Sequence, residues 1–209
     1  MRLLLIRHGE SEHSKRRLIA GAASCLGLTD EGRVQARMLA DRLAATGEQG
    51  AVDALLHSPV LRARQTAEIV AEALPGLALA EEPGLTEVLP GAADGMVWPD
   101  YVATHGAFDM VAEPDRPFAP GGESWLQFMA RVGATLNGLA ERFAGRTVIG
   151  VSHGGFVMAS LLALFAIPRP GTGARLDPAF ASITEWSHGS GGWRLVRYND
   201  AAHLLARRS

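Results

Sequence analysis

The sequence predicts an α/β protein: a three-layer sandwich whose central sheet is mostly parallel, ends in a C-terminal antiparallel strand, and carries helices on both faces. Three observations predict it. Short apolar runs of strand length alternate along the chain with longer stretches of helical periodicity, the pattern of parallel strands joined by helical crossovers. One run of 12 residues, 156–167, is apolar but for Ser160, which suits a helix inside a layered protein. Near the end, residues 181–187 and 193–198 flank Gly189-Ser190-Gly191-Gly192, the spacing of an antiparallel pair joined by a loop.

The elements follow in order. Residues 2–6 are a continuous apolar run, as in a strand covered on both faces. Thr29, Asp30 and Glu31 open a helix to about Thr46, with a hydroxyl cap, two acids in the first turn and Gly47 at the stop. Residues 52–57 form a second strand. Pro59 starts a helix to about Leu74, where Pro75-Gly76 ends it. Residues 77–80 suit a short third strand. Trp125, Phe128, Met129, Val132, Leu136, Leu139 and Phe143 recur at three- and four-residue steps, one apolar stripe closed by Gly145. Residues 147–151 then form a strand and 155–167 the apolar helix. The stretch 83–122, rich in proline and glycine with scattered Trp98, Tyr101, His105 and Phe108, is expected to be an excursion or lid with one short helix. It belongs to a single domain, 1–209.

Composition bounds the function. At 47% hydrophobic and 20% charged residues the chain is ordinary for a globular protein. Lysine plus arginine number 20 against 22 acids, so no charge excess points to nucleic acid or a membrane surface. One cysteine, Cys25, excludes an internal disulfide framework and a multi-cysteine zinc site, and fits a reducing compartment. The N-terminal apolar run breaks at Arg7, too short for a signal-peptide core, and the 12-residue run falls short of the roughly 20 that a membrane span needs. A cytoplasmic protein is expected.

Ligands of open α/β sheets bind beyond the carboxyl ends of the strands, and three strands deliver polar residues there. The first ends in Arg7-His8-Gly9-Glu10-Ser11, the second in His57-Ser58-Pro59 with Arg62 and Arg64 beyond it, and a later one in Ser152-His153-Gly154-Gly155. Guanidinium forks match phosphate oxygens, helix N-termini add oriented N–H groups, and glycines allow close backbone approach. The crevice therefore suits an anion, phosphate foremost. A histidine there can attack phosphorus when one ring nitrogen is proton-free and the other donates to a fixed acceptor. A second histidine can stabilise charge. Glu87, after the third strand, could donate a proton to the departing oxygen.

The stretches Arg7-His8-Gly9-Glu10-Ser11, Ser58-Pro59-Val60-Leu61-Arg62-Ala63-Arg64-Gln65-Thr66-Ala67, Gly121-Gly122-Glu123-Ser124 and Val151-Ser152-His153-Gly154-Gly155 resemble the histidine phosphatase superfamily, the phosphoglycerate mutase-like fold, in the branch with small bacterial phosphatases. The resemblance runs in order over nearly the whole chain. It implies His8 as a nucleophile carrying a transient phosphohistidine, Arg7 and Arg62 gripping the phosphoryl oxygens, His153 stabilising charge, and Glu87 as proton donor. It implies no cofactor and no metal.

Two stretches depart from the family pattern. Where many relatives carry Trp-Asn, this chain has His13 and Ser14; Ser14 can still donate one hydrogen bond to phosphate, and Gly154 offers close backbone approach. After Glu87 the family's Gly-x-Trp-Glu-Gly stretch is replaced by Leu89-Pro90-Gly91-Ala92-Ala93-Asp94-Gly95, so the leaving-group side is remodelled. Arg17, in Lys15-Arg16-Arg17, falls where relatives carry a substrate-facing arginine. The expected activity is phosphomonoester hydrolysis of a small phosphorylated metabolite. The alternatives are a mutase-like phosphoryl transfer and a non-catalytic phospho-ligand binder. The expected partner is a small-molecule phosphate ester, with neither nucleic acid nor membrane; a homodimer is compatible with the apolar 156–167 helix.

Overall fold

The structure, a computed structural model, describes residues 1–46, 52–109, 112–167 and 176–207. Six strands form one sheet in the order β3-β2-β4-β1-β5-β6: β1 (Arg2–Arg7), β2 (Val52–His57), β3 (Leu79–Glu81), β4 (Thr147–Ser152), β5 (Ile183–Gly189) and β6 (Gly192–Asp200). β1 to β4 run parallel, whereas β5 pairs antiparallel with both β1 and β6. The helices are α1 (Glu12–Arg16), α2 (Asp30–Thr46), α3 (Leu61–Ala71), α4 (Trp98–His105), α5 (Trp125–Arg142) and α6 (Gly154–Leu164).

The unbroken apolar run of β1 is explained by burial on two sides. Leu3 and Leu5 join Leu56, Val148 and Trp186 in a core with α5 and α6. Leu4 and Ile6 turn to the other face and pack with Leu39 and Leu43 of α2 and Ala63, Ala67 and Val70 of α3. Period-two alternation thus feeds two cores at once. A smaller cluster of Ala93, Tyr101, Phe118 and Ala119 holds the 83–122 segment together; Tyr101 Oη donates to the Phe118 carbonyl at 2.7 Å and the two rings stack at 4.5 Å.

Several boundaries shift for local reasons. The helix expected from Pro59 starts at Leu61, and beyond Ala71 tighter turns carry the chain through Leu74 N–H to Ala71 O and Leu77 N–H to Leu74 O; β3 consequently begins two residues later than expected. α6 stops at Leu164 because Ala166 takes a left-handed conformation, φ 54°. Its tail is not interior: Phe165 and Ile167 are 53% and 42% exposed. α1 has no periodicity long enough to register in sequence. Ser124 and Gln127 cap α5 with a reciprocal capping box, Gln127 N–H to Ser124 Oγ at 3.2 Å and Ser124 N–H to Gln127 Oε1 at 2.9 Å. The stop expected at Gly47 lies outside the described residues.

One close approach fixes the loop after β1. A Cβ on Gly32, in the first turn of α2, would lie 1.9 Å from Glu10 O, and one on Gly9 would lie 2.4 Å from Gly32 O. The backbones interlock where no side chain fits. Thr29 completes the joint: its N–H donates to Glu10 O at 3.0 Å, its hydroxyl donates to Glu10 Oε1 at 2.8 Å, and it accepts Gly32 N–H at 3.0 Å. Gly32→Ala is expected to destabilise by about 2–3 kcal/mol through overpacking, lowering the thermal midpoint by roughly 5–10 °C. A calorimetric scan showing no change would mean that the loop can yield without cost.

Candidate active site

Strand register brings the two histidines together. In the β1–β4 pair Arg7 lies opposite Ser152, and His8 N–H donates to Ser152 O at 2.9 Å. His8 and His153 therefore leave adjacent strand ends side by side, their ring centroids 5.2 Å apart and nearly edge to face. In the β2–β4 pair His57 lies opposite Val151, with Ser58 N–H on Val151 O at 2.9 Å. The Ser58 side chain consequently reaches His153, Oγ to Nε2 at 2.8 Å. His153 is fully buried, and its Nδ1 has no hydrogen-bond partner.

His8 is oriented through both ring nitrogens. Its Nδ1 lies 2.7 Å from Gly9 O, and Arg62 Nε–H donates to its Nε2 at 3.0 Å. A carbonyl only accepts and a guanidinium only donates, so the ring is neutral with its proton on Nδ1 and a lone pair on Nε2. Burial first, then Arg62, holds His8 well below the ordinary imidazole range; the same two causes act on His153.

Arg62, only 5% exposed, is anchored on its other side by the 13–25 loop: Nη1 donates to His13 Nε2 at 3.1 Å and to Ala20 O at 3.2 Å, and lies 3.6 Å from Cys25 Sγ. His13 must then also be neutral, with its proton on Nδ1, a buried donor without a partner. Burial and then Arg62 lower its pKa to about 4. Sequence reasoning quoted His13 as a departure and found no role for it; the structure makes it the acceptor that holds Arg62.

Glu87 enters from the sheet's far side. After β3 the chain crosses the carboxyl ends of the strands, where Ser152 Oγ–H donates to Leu85 O at 2.6 Å. The Glu87 carboxylate accepts Val88 N–H at 3.0 Å and Gly155 N–H at 2.9 Å, on the first turn of α6. A Cβ on Gly155 would sit 2.2 Å from Glu87 Oε1, so the carboxylate docks only against glycine. Behind it Arg131 of α5, which sequence reasoning missed, donates to the carbonyls of Gly84, Thr86 and Glu87 at 2.9–3.0 Å and forks onto Glu123 through two bonds of 2.7 Å. No local signal marks Arg131; it sits between stripe positions whose apolar neighbours hide it.

These groups border a cleft of about 480 Å³ lined by Arg7, His8, His13, Ser14, Arg62, Glu87, Gly154 and Gly155 among others. His153 stands behind that wall. The Arg7 guanidinium lies 4.0 Å from the Phe180 ring centre and donates to Asp177 Oδ1 at 3.2 Å and to Pro178 O. Ser14 Oγ pairs with Ser11 Oγ at 2.8 Å. Arg17, at a left-handed φ of 55°, is exposed and lines a neighbouring groove with Leu18, Ile19, Trp98 and Pro99, outside the histidine cleft. Arg64 makes an exposed i,i+4 pair with Glu68. Of the scattered aromatics, Tyr101 is buried packing, while Trp98 and Phe108 line the cleft. Among the described residues no group of three or more His, Cys, Asp or Glu is placed to hold a metal ion, and no helix is long and apolar enough to cross a membrane.

Two histidines, two arginines and a carboxylate around the end of a parallel sheet define a phosphoryl-transfer class of site. The sequence profile of the histidine phosphatase superfamily (branch 1) matches residues 3–201. The chain belongs to that superfamily, and it is a histidine phosphatase, a phosphomonoester-hydrolysing enzyme. It is 27% identical over 206 residues to the metal-independent phosphoserine phosphatase of Arabidopsis thaliana, covering 97% of this chain and 82% of that protein. It is 33% identical over 201 residues to a bifunctional protein of Mycobacterium tuberculosis, covering 93% of this chain but spanning only about half, 53%, of that protein. The crystal structure of phosphoserine phosphatase from Entamoeba histolytica in complex with 3-phosphoglyceric acid superposes with a TM-score of 0.79 at 26% identity, covering 98% of this chain and 99% of that one.

The His13–Arg62 contact has a pH signature. A histidine held below its ordinary 6.5 is neutral when folded and takes up a proton on unfolding. Acid therefore favours the unfolded chain: the His13 contribution is whole above about pH 6.5 and falls as pH drops toward 4. His13→Gln keeps an acceptor but cannot titrate, so its thermal midpoint should fall less steeply over that interval than the wild type's. His13→Leu removes the acceptor and should raise KM about tenfold at neutral pH, the scale of one charge-assisted hydrogen bond, with a smaller effect on kcat. Parallel pH curves for wild type and His13→Gln would sink this assignment.

Proposed function

We propose that the enzyme hydrolyses small phosphate monoesters by double displacement at His8. The observation that carries this is the pair of contacts on one buried ring: Nδ1–H on the Gly9 carbonyl and a lone pair on Nε2, aimed at Arg62. That is the tautomer a nitrogen nucleophile needs. When a phosphoryl oxygen takes over the Arg62 N–H, Nε2 is released to attack phosphorus. The P–N bond forms as the ester P–O bond breaks, and Glu87, as the carboxylic acid, gives its proton to the departing oxygen. Water then attacks phosphorus, the P–N bond breaks, and the Glu87 carboxylate takes the water proton. Inorganic phosphate leaves and both groups return to their starting states.

The remaining residues act by charge and position. Arg7 and Arg62 grip the phosphoryl oxygens, and His153, braced by Ser58 and lying beside the His8 ring, stabilises the developing charge. Ser14 and the backbone at Gly154 add donors at the rim. The 83–122 segment, supplying Glu87 and much of the wall, serves as the lid of one domain. Arg17, on the adjoining groove, meets only substrates long enough to pass Trp98. The single cysteine fits a cytoplasmic setting.

Brief mixing with a labelled phosphate ester and acid quench is expected to trap label that is lost in acid, kept in alkali and absent from His8→Ala. His8→Ala should lose on the order of 10⁵-fold in kcat, the scale of removing a covalent nucleophile. Wild type that never labels and releases no phosphate would overturn the proposal; conserved total ester with isomerisation would make the enzyme a mutase. Glu87→Gln should slow alkyl phosphates at least about a hundredfold while slowing 4-nitrophenyl phosphate far less, because that leaving group needs no proton.

A further inference from the structure

The two halves of the cleft differ in chemistry. Among the described lining residues, Arg7 and Arg62 are the sole arginines or lysines, and both belong to the phosphoryl end. Away from that end the wall is apolar. The 83–122 segment contributes Trp98, Phe108 and Phe118, α5 contributes Trp125 and Phe128, and α6 contributes Met158. The rings fall in two groups: Phe108 and Phe118 have centroids 4.9 Å apart and Trp98 and Phe118 6.2 Å, while Trp125 and Phe128 are 6.0 Å apart. Phe118, Trp125 and Phe128 are at most 6% exposed, so their positions are set by packing, while Trp98 stands 46% exposed at the mouth.

The charged groups on this cleft, the two arginines aside, are acids. Glu87 and Asp177 both line it. Asp177 is paired with Arg7 and Glu87 enters the reaction as the acid, so a leaving group bearing a carboxylate would meet an apolar wall with no described lining cation left to pair it. An unpaired charge desolvated against such a wall is costly, whereas an alkyl or aryl group gains by leaving water.

Resting on the phosphatase reading above, we propose that the preferred substrates are phosphate monoesters of apolar, alkyl or aryl, alcohols, and that esters with a second anionic group are rejected. Trp98, Phe118 and Met158 set this specificity by contact with the leaving group, and a second anionic group is disfavoured because that wall offers it no partner. Arg17 lines the neighbouring groove, which shares Leu18, Ile19 and Trp98 with the cleft.

The test compares kcat/KM of the full chain for 3-phenylpropyl phosphate and 3-phosphoglycerate, both alkyl esters, so that leaving-group acidity does not decide the outcome. The phenylpropyl ester is expected to lead by at least about thirtyfold, the reach of a few buried methylenes together with one unpaired charge. Trp98→Ala, exposed enough to spare the fold, should cut that ratio about fivefold. Equal values, or a lead for phosphoglycerate, would overturn the apolar assignment while His8 still labels from both esters. If neither ester labels His8 nor releases phosphate, the phosphatase reading itself fails and takes this inference with it. An unchanged ratio in Trp98→Ala, with the wild-type preference intact, would overturn the part assigned to Trp98.

Discussion

The contact between Arg62 Nε–H and His8 Nε2, 3.0 Å long, is the constraint on which the site turns. It exists only while the imidazole is neutral, and neutrality is enforced by the same neighbours that would bind a phosphoryl group. Burial strips His8 and His153 of water, and Arg62 and Arg7 repel a further positive charge. The crowding is thus self-consistent: burial and two neighbouring cations together disfavour protonation of the two histidines, and an entering anion would relieve the repulsion. His13 extends the logic one residue outward, since a protonated His13 could not accept from Arg62 Nη1. A site that concentrates positive charge in a dry pocket must hold its geometry by other means, because the charges would push it apart.

Those means are a backbone interlock and side-chain hydrogen bonds to the backbone. The Gly9–Gly32 approach seats the β1 loop on α2, and Thr66 Oγ accepts Gly9 N–H at 3.1 Å while Gln35 Oε1 accepts Glu10 N–H at 2.9 Å. Thr66 also donates to Arg62 O at 2.8 Å, so one hydroxyl ties the loop of the nucleophile to the helix turn of its arginine. On the other side Arg131 spends its full fork on Glu123 and on three carbonyls around Glu87. Asp94 does comparable work for the 13–25 loop, accepting Gly21 N–H at 2.8 Å and Ala23 N–H at 3.1 Å.

The sheet and the phosphoryl end were legible in the sequence because both follow from periodicity. A strand buried on two faces reads as an unbroken apolar run, and the residues just past such runs must gather at one edge. His8, His153 and Arg62 are found that way. Ser58 could have been, since it follows β2 as His153 follows β4 and parallel register sets the two side by side. Arg131 and Gly32 could not: each acts across more than 20 residues of sequence through a fit of shape that no spacing encodes. Arg17 is set by the left-handed turn that ends α1 on a groove that shares Leu18, Ile19 and Trp98 with the cleft.

The division of the cleft follows from its construction. Strand ends and helix N-termini are polar and closely spaced, so the histidine half is built where strand register and backbone hydrogen bonds fix the chain. The other half is built on the 83–122 segment, which has a small core of its own in Ala93, Tyr101, Phe118 and Ala119 and is joined to the sheet through Leu85. Glu87 is the hinge between the two, its backbone carbonyl pinned by Arg131 and its carboxylate by the first turn of α6. The missing Cβ of Gly155 is what makes room for the carboxylate there. On the proposed double displacement, changes in Trp98 or Met158 would alter which alcohol departs without moving His8 or Arg62, whereas changes at Arg62 would reach every ester alike.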